Sequence, residues 1–260
     1  MMVSLLNQKD FQAVQNLPFC YLCGKDFVKA DTINRDHLPA RSLFAKEHRE
    51  PLCLPTHVAC NKSHELVDEK IGQLISLRRG KIPSPKRQRL RFVVSGKATL
   101  SAVTNLNIDS AVWRWIAGFH AALYRTSPVG IRGSLVTPFP RARNINGPLA
   151  IEPLRPQHQL FVQTIKQNRA RMNLDRIKCN KGTVVYECVW CRSNNDGPWL
   201  CIYALDVYDW KDLGRTNYFP ARGCAGVYVL PSGNVPTDAT RGTTSPIIVP
   251  TIDPLDPFSR

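Results

Sequence analysis

The sequence predicts an α+β protein whose second part carries a small antiparallel sheet, and three observations point to it. Apolar residues recur at helical spacing over 66–75 and again over 112–124. Three later runs, 183–192, 199–207 and 226–230, are rich in β-branched and aromatic residues and read as strands. Ahead of all of these, Cys20, Cys23, Asp36, His37, His57, Cys60, Asn61 and His64 follow one another in short groups, a pattern that belongs to a separate N-terminal module over 1–80.

A chain of 260 residues can form one large or two small domains, and a hydrophobic content of 43% is that of a globular protein. Lys and Arg number 35 against 20 Asp and Glu, a formal net charge of +15. Such a surface attracts polyanions, so nucleic acid is the expected partner; the alternative is a generically basic protein. The N-terminus lacks a charged-then-apolar signal pattern, and no apolar run is long enough to span a bilayer. The expected compartment is the cytoplasm, with no membrane partner. There, nine cysteines read as metal ligands or buried thiols, and an odd number does not fit a fully paired disulfide framework.

Within the first module the spacing predicts a helix over 61–77. Leu66, Val67, Ile71, Leu74 and Ile75 form its apolar stripe, and Glu65, Asp68, Glu69 and Lys70 its polar side. Arg78 and Arg79 suit the negative end of the helix dipole, and Gly80 suits the C-cap. Residues 81–97 form a Pro-containing linker in which Lys81, Lys86, Arg87, Arg89 and Arg91 cluster. It reads either as a phosphate-gripping arm, since Lys and Arg release counterions from nucleic acid, or as a solvated hinge.

Residues 98–230 read as an α+β domain of unassigned role. Asp109 or Ser110 can cap a helix running to Tyr124. Pro-rich loops fill 128–156, a further helix covers 157–173, and the three strands follow, with a hairpin turn over 194–198. Residues 231–260 are Pro- and Thr-rich and read as an extended tail. Cys188 and Cys191, with Cys179 and Cys201, allow a second zinc site. No glycine turn separates the close pair, which favours buried strand thiols.

The chemistry lies in the first module. Cys20-Tyr21-Leu22-Cys23-Gly24 places two thiols on a tight turn, and His57-Val58-Ala59-Cys60 supplies a matching pair. Four such ligands suit tetrahedral Zn²⁺ in a closed, structural site, with Cys53 as an alternative ligand. Asp36-His37 stands between the pairs, followed by Leu38-Pro39. Adjacent strand side chains point to opposite faces, so a local distortion is expected if both are to meet one substrate. A histidine has the intrinsic pKa to take a proton from water near neutral pH. A hard ion such as Mg²⁺ or Mn²⁺ wants oxygen ligands, which Asp36 and Asn61 can supply. Asn61 can instead serve as a helix N-cap. His64 and Glu65 follow at i+3 and i+4 and can add a metal contact, hold a water, or be plain surface residues.

These residues together resemble the HNH, or ββα-metal, endonuclease family, particularly its zinc-containing members. The matching string is Cys20-x-x-Cys23-Gly24, then Asp36-His37-Leu38-Pro39 at the head of DHLPARSLF, then His57-x-x-Cys60-Asn61. It covers roughly residues 15–80. The resemblance implies a ββα-metal module holding structural zinc on Cys20, Cys23, His57 and Cys60. It implies His37 as general base and a catalytic divalent ion on Asp36 and Asn61, with His64 and Glu65 as further participants. The implied activity is hydrolysis of nucleic-acid phosphodiesters, DNA ahead of RNA, leaving 5′-phosphate and 3′-hydroxyl ends. Arg41, Arg78, Arg79, Lys81, Lys86, Arg87, Arg89 and Arg91 are the expected backbone contacts. The chain departs from the family in using His57 where many members have Cys, and in lacking an asparagine between His37 and His57. Two other readings fit the same residues: a zinc-stabilised nucleic-acid-binding module without catalysis, and an RNA-directed or partner-activated nuclease effector of a defence system. In the latter the second domain would bind another protein.

Overall fold

The computed structural model describes residues 3–44, 49–78, 89–90, 92–94, 101–103, 108–136, 156–171, 174–192, 199–207 and 224–229. In chain order its elements are β1 (Ser4–Leu5), α1 (Gln8–Val14), β2 (Ile33–Leu38), β3 (Leu52–His57), α2 (Val58–Lys62) and α3 (Glu65–Arg78). There follow β4 (Phe92–Val94), β5 (Ser101–Val103), α4 (Ile108–Tyr124), β6 (Arg132–Val136) and α5 (Pro156–Ala170). The last are β7 (Asp175–Cys179), β8 (Val184–Arg192), β9 (Trp199–Val207) and β10 (Cys224–Val229). The class is α+β.

Side-chain alternation explains the principal layer. Six strands run in the order β1-β7-β8-β9-β10-β6. The β1–β7 pair is parallel and the other pairs are antiparallel. On one face Tyr186, Cys188, Trp190, Cys201, Tyr203 and Tyr228 pack with Trp115, Ile116 and Phe119 of α4. On the other, Val189, Cys191, Leu200, Ile202 and Val227 pack with Phe161 and Ile165 of α5. Residues two apart share a face, so covering both faces demands a strand that is apolar throughout. That is why β8 and β9 read clearly as strands in the sequence.

The N-terminal residues share this core. Phe11, Tyr21, Leu38, Leu52 and Leu54 belong to the same buried cluster as α4 and the sheet. β1 joins the sheet directly, and the Val3 N–H donates to Asp175 Oδ1 at 2.8 Å. Gly118 sets the approach of α4 to β2: a Cβ there would overlap the Leu38 side chain and press on Tyr21 at 3.2 Å. In α1, Asn7 caps the helix by accepting from the Lys9 and Asp10 N–H groups, and Asp10 reaches back to the Asn7 N–H.

Several boundaries differ from those the sequence predicts. The helix expected over 61–77 is two helices, because α2 closes at Ser63 and α3 begins at Glu65. α4 begins at Ile108, which places Asp109 and Ser110 inside its first turn rather than at the cap. The Pro-rich stretch contains β6, the basic linker runs into β4, and the chain leaves α5 to form β7. The elements β1, α1, β4, β5, β6 and β7 had no clear periodic signal. The turn at 194–198 and the tail from 231 lie outside the described residues. Among the described residues no helix is long and apolar enough to cross a membrane.

His120 is fully buried in α4, bonded through Nδ1 to the Tyr228 hydroxyl at 2.9 Å and through Nε2 to Thr126 Oγ1 at 3.1 Å. Burial pushes its pKa from 6.5 down to about 3. The unfolded chain therefore binds a proton that the folded chain refuses. The resulting stability is complete above pH ~6.5 and is lost progressively as pH falls towards ~3. Urea unfolding should give a free energy about 2 kcal/mol lower at pH 5 than at pH 7 from this group alone. In His120→Gln that slope should flatten.

Candidate metal centre

Two separated segments meet at the soft-ligand group. Cys20 and Cys23 sit on a knuckle closed by Gly24 N–H donating to the Cys20 carbonyl at 2.7 Å and Cys20 N–H to the Lys25 carbonyl at 2.9 Å. Gly24 has φ of 73°, the left-handed region that glycine enters without strain. His57 ends β3 opposite Ile33 and serves as the N-cap of α2, which places Cys60 one turn further along. The donor atoms of Cys20, Cys23, His57 and Cys60 all lie within 4.8 Å of one another.

The details fit zinc. His57 Nδ1 faces Cys23 Sγ at 3.4 Å and Cys60 Sγ at 4.0 Å. Its Nε2 lies 3.2 Å from Asp31 Oδ2, a carboxylate that fixes the tautomer presenting Nδ1 as a ligand. The Val28 N–H and the His57 ring hold the Asp31 carboxyl below its ordinary value. Burial and the neighbouring thiols push Cys60 up to about 11. Cys23 is lowered despite its burial, by hydrogen bonds from the Lys25 backbone and from Cys20 and Cys60. A dication bound at this group would take its cysteines as thiolates. Cys53 stands apart, opposite His37 on the β2–β3 hairpin, and is not in the group. Cys179, Cys188, Cys191 and Cys201 are buried strand thiols, and burial pushes Cys179 and Cys191 up to about 12.

Beside this group the hairpin and the two helices enclose a cleft of about 600 Å³. Asn34, Asp36, His37 and Arg41 line it from the hairpin side, and Asn61, Lys62, Glu65, Asp68 and Glu69 from α2 and α3. The β2–β3 register runs unbroken from Ile33 opposite His57 to Leu38 opposite Leu52. The distortion expected at Asp36-His37 is therefore absent, yet both side chains border the cleft. Asn61 lies within α2, so it does not act as the N-cap; His57 takes that place. Glu65 lines the cleft, whereas His64 sits half-buried at the α2–α3 junction and does not. Burial and Arg114 lower the His64 pKa.

Asp36 is 4% exposed and accepts a 2.5 Å hydrogen bond from the Tyr21 hydroxyl on Oδ2. Arg114 Nη1 lies 3.7 Å from the same oxygen, and Arg114 Nη2 donates to Asp68 Oδ1. Asp68, assigned to a solvated helix face by the sequence, is thus half-buried against a buried cation. Burial raises its pKa against the pull of Arg114. Removing one member of such a buried pair costs about 3–5 kcal/mol. Burial and Asp36 raise the Tyr21 phenol well above its ordinary value, so it remains a donor. For His37, burial lowers the pKa; Asp36 opposes this, and Arg41 and Arg49 add to it. Tyr21 and Arg114 were not among the residues singled out from the sequence, where a knuckle tyrosine and an arginine between two tryptophans carry no distinguishing signal.

Of the basic residues, Arg41 lines the cleft and Arg89 pairs with Glu69 at 3.4 Å. Arg79, Lys81, Lys86, Arg87 and Arg91 lie outside the described residues, as does the side chain of Arg78. Compared with protein-family models, curated proteins and solved structures, the chain matches none.

Elemental analysis of the purified protein should find one zinc per chain. His57→Ala should lose it and melt at lower temperature. Asp31→Ala should keep the fold and bind zinc about 10–100-fold more weakly, the usual effect of removing a carboxylate behind a ligand histidine.

Proposed function

We propose that the chain is a metal-dependent nuclease of the HNH type, with the hairpin β2–β3 and the helices α2 and α3 as its ββα-metal module. The observation that carries this reading is the placement of Asp36, His37 and Asn61 on one cleft directly beside the Cys₃His group, with Asn61 following Cys60 in the chain.

Burial keeps the His37 imidazole neutral at physiological pH, the state a general base requires. In the proposed reaction His37 takes a proton from water as the water oxygen attacks phosphorus; the bond to the 3′-oxygen breaks, that oxygen takes a proton from solvent, and His37 returns its own to solvent. The products are a 5′-phosphate and a 3′-hydroxyl. The Asp36 carboxylate and the Asn61 amide are oxygen donors, the type that Mg²⁺ or Mn²⁺ takes, and these ions commonly use one or two protein ligands with waters and phosphate completing the shell. When bound there, the ion offsets charge on the phosphate and on the departing oxygen. Arg41 and Lys62 line the same cleft and suit contacts to phosphate, which position a backbone without reading sequence. The formal charge of +15 supports a nucleic-acid substrate, DNA ahead of RNA.

A non-catalytic nucleic-acid-binding module is the second reading. One observation favours it: among the described residues the Cys₃His group is the one place where three or more such ligands converge.

Plasmid and single-stranded substrates incubated with Mg²⁺ or Mn²⁺ separate the two. Wild-type protein should cut, and His37→Ala should lose about 10²–10⁴-fold in rate while retaining zinc and DNA binding. Because the base must be unprotonated, the rate should fall only below a midpoint lying under 6.5 and stay flat from neutral pH upward. Tight DNA binding with equal, undetectable cutting by both proteins would favour the binder.

A further inference from the structure

One side chain from the second half of the chain touches two of the residues that line the cleft. Arg114 projects from α4, far from the segment that resembles a nuclease, and its side chain is 3% exposed. It reaches Asp36 of β2 and Asp68 of α3 at once. Helical spacing explains how. Arg114 and Gly118 are one turn apart on α4 and share a face. Gly118 lies against Leu38 and Tyr21, and Leu38 shares its strand face with Asp36. The missing side chain at Gly118 therefore lowers α4 onto β2 where Arg114 meets the carboxylate. Tyr21 comes from the knuckle, where it stands between Cys20 and Cys23.

Both contacts on Asp36 fall on Oδ2. A carboxylate this buried needs donors or positive charge beside it, and here one hydrogen bond from Tyr21 and one ion-pair contact from Arg114 meet on the same oxygen. Arg114 Nε and Nη1 have no hydrogen-bond partner among the described residues, so the guanidinium is spent on charge and on one tight bond to Asp68.

We infer that Arg114 and Tyr21 are positioning residues: they clamp Oδ2 of Asp36 so that Oδ1 is the atom offered to a divalent cation. This rests on the nuclease reading and deepens it, because it makes α4 an integral part of the site. The roles of the two residues differ. Tyr21 transmits the geometry of the zinc knuckle, whereas Arg114 supplies the charge that allows Asp36 and Asp68 to stand close together.

Mn²⁺ binding followed by electron paramagnetic resonance tests this without relying on turnover. Tyr21→Phe removes one hydroxyl and keeps the ring, and Arg114→Lys keeps the charge without the fork. Wild-type protein should bind Mn²⁺ in the cleft. Tyr21→Phe should bind it about tenfold more weakly, equivalent to roughly 1.4 kcal/mol, with zinc content unchanged and only a small fall in thermal midpoint. In cleavage assays its kcat should fall while KM for DNA stays the same. Arg114→Lys should show the larger loss of Mn²⁺ affinity, and the variant joining Arg114→Met with Asp68→Asn should fold yet bind Mn²⁺ no better than Arg114→Lys. Wild-type affinity and kcat in Tyr21→Phe and Arg114→Lys, alongside an active wild type, would overturn the inference alone. A wild type that binds no Mn²⁺ and cuts nothing would overturn both the inference and the nuclease reading.

Discussion

The convergence of three thiols and one imidazole within 4.8 Å is the constraint on which the rest of the N-terminal structure depends. The donors come from a knuckle, the end of a strand and the first turn of a helix. Joining them fixes the knuckle against the corner between β3 and α2, beside the apolar cluster that Tyr21, Leu38, Leu52 and Leu54 share with α4. A residue of the neighbouring cleft is tied directly to each side: Tyr21 lies inside the knuckle and bonds Asp36, and Asn61 follows Cys60 in α2. A closed site of this kind holds position rather than performing chemistry. With zinc held there, the geometry of the cleft would inherit the stiffness of metal–ligand bonds.

The second constraint is electrostatic. Asp36 and Asp68 stand on different elements and would repel across a poorly hydrated space. Arg114 lies between them, and its own desolvation is offset by the two carboxylates. One guanidinium against two carboxylates leaves an excess of negative charge at the foot of the cleft, which suits a cation. Arg41 and Lys62 stand elsewhere on its lining, suited to phosphate. The shared apolar cluster joins this arrangement to the six-stranded sheet, so the helix carrying Arg114 is anchored by Trp115, Ile116 and Phe119.

Much of this was legible in the sequence wherever a pattern repeats. β8 and β9 are long, apolar on both faces and rich in β-branched and aromatic residues; α4 and α5 keep a helical period. The Cys₃His group was legible because thiols and imidazoles at close spacing have few other uses. Elements whose order comes from tertiary contact were not. β1 has two residues and exists by pairing with β7. β3 carries Pro55, which argues against a strand until its place opposite Arg35 in a two-stranded hairpin is known. The break between α2 and α3 falls at Ser63 and His64, in a polar run ahead of the stripe that begins at Leu66, where the apolar period carries no information. Asp68 read as solvated because its neighbours Glu69 and Lys70 are polar, and nothing local announces a buried arginine 46 residues further along. Arg114 itself was hidden between Trp113 and Trp115, where the period marks the apolar side of α4.

The fold thus brings a soft-ligand group, an imidazole and two oxygen donors into one small region, and it does so with residues from both halves of the chain. Anomalous diffraction from crystals soaked with Mn²⁺ and a short DNA carrying a non-cleavable phosphate tests that arrangement most directly. Zinc signal is expected among Cys20, Cys23, His57 and Cys60, and manganese signal between Asp36 and Asn61, with the His37 ring facing the phosphate. Manganese bound elsewhere, or side chains at 36 and 61 that diverge when zinc is in place, would contradict it.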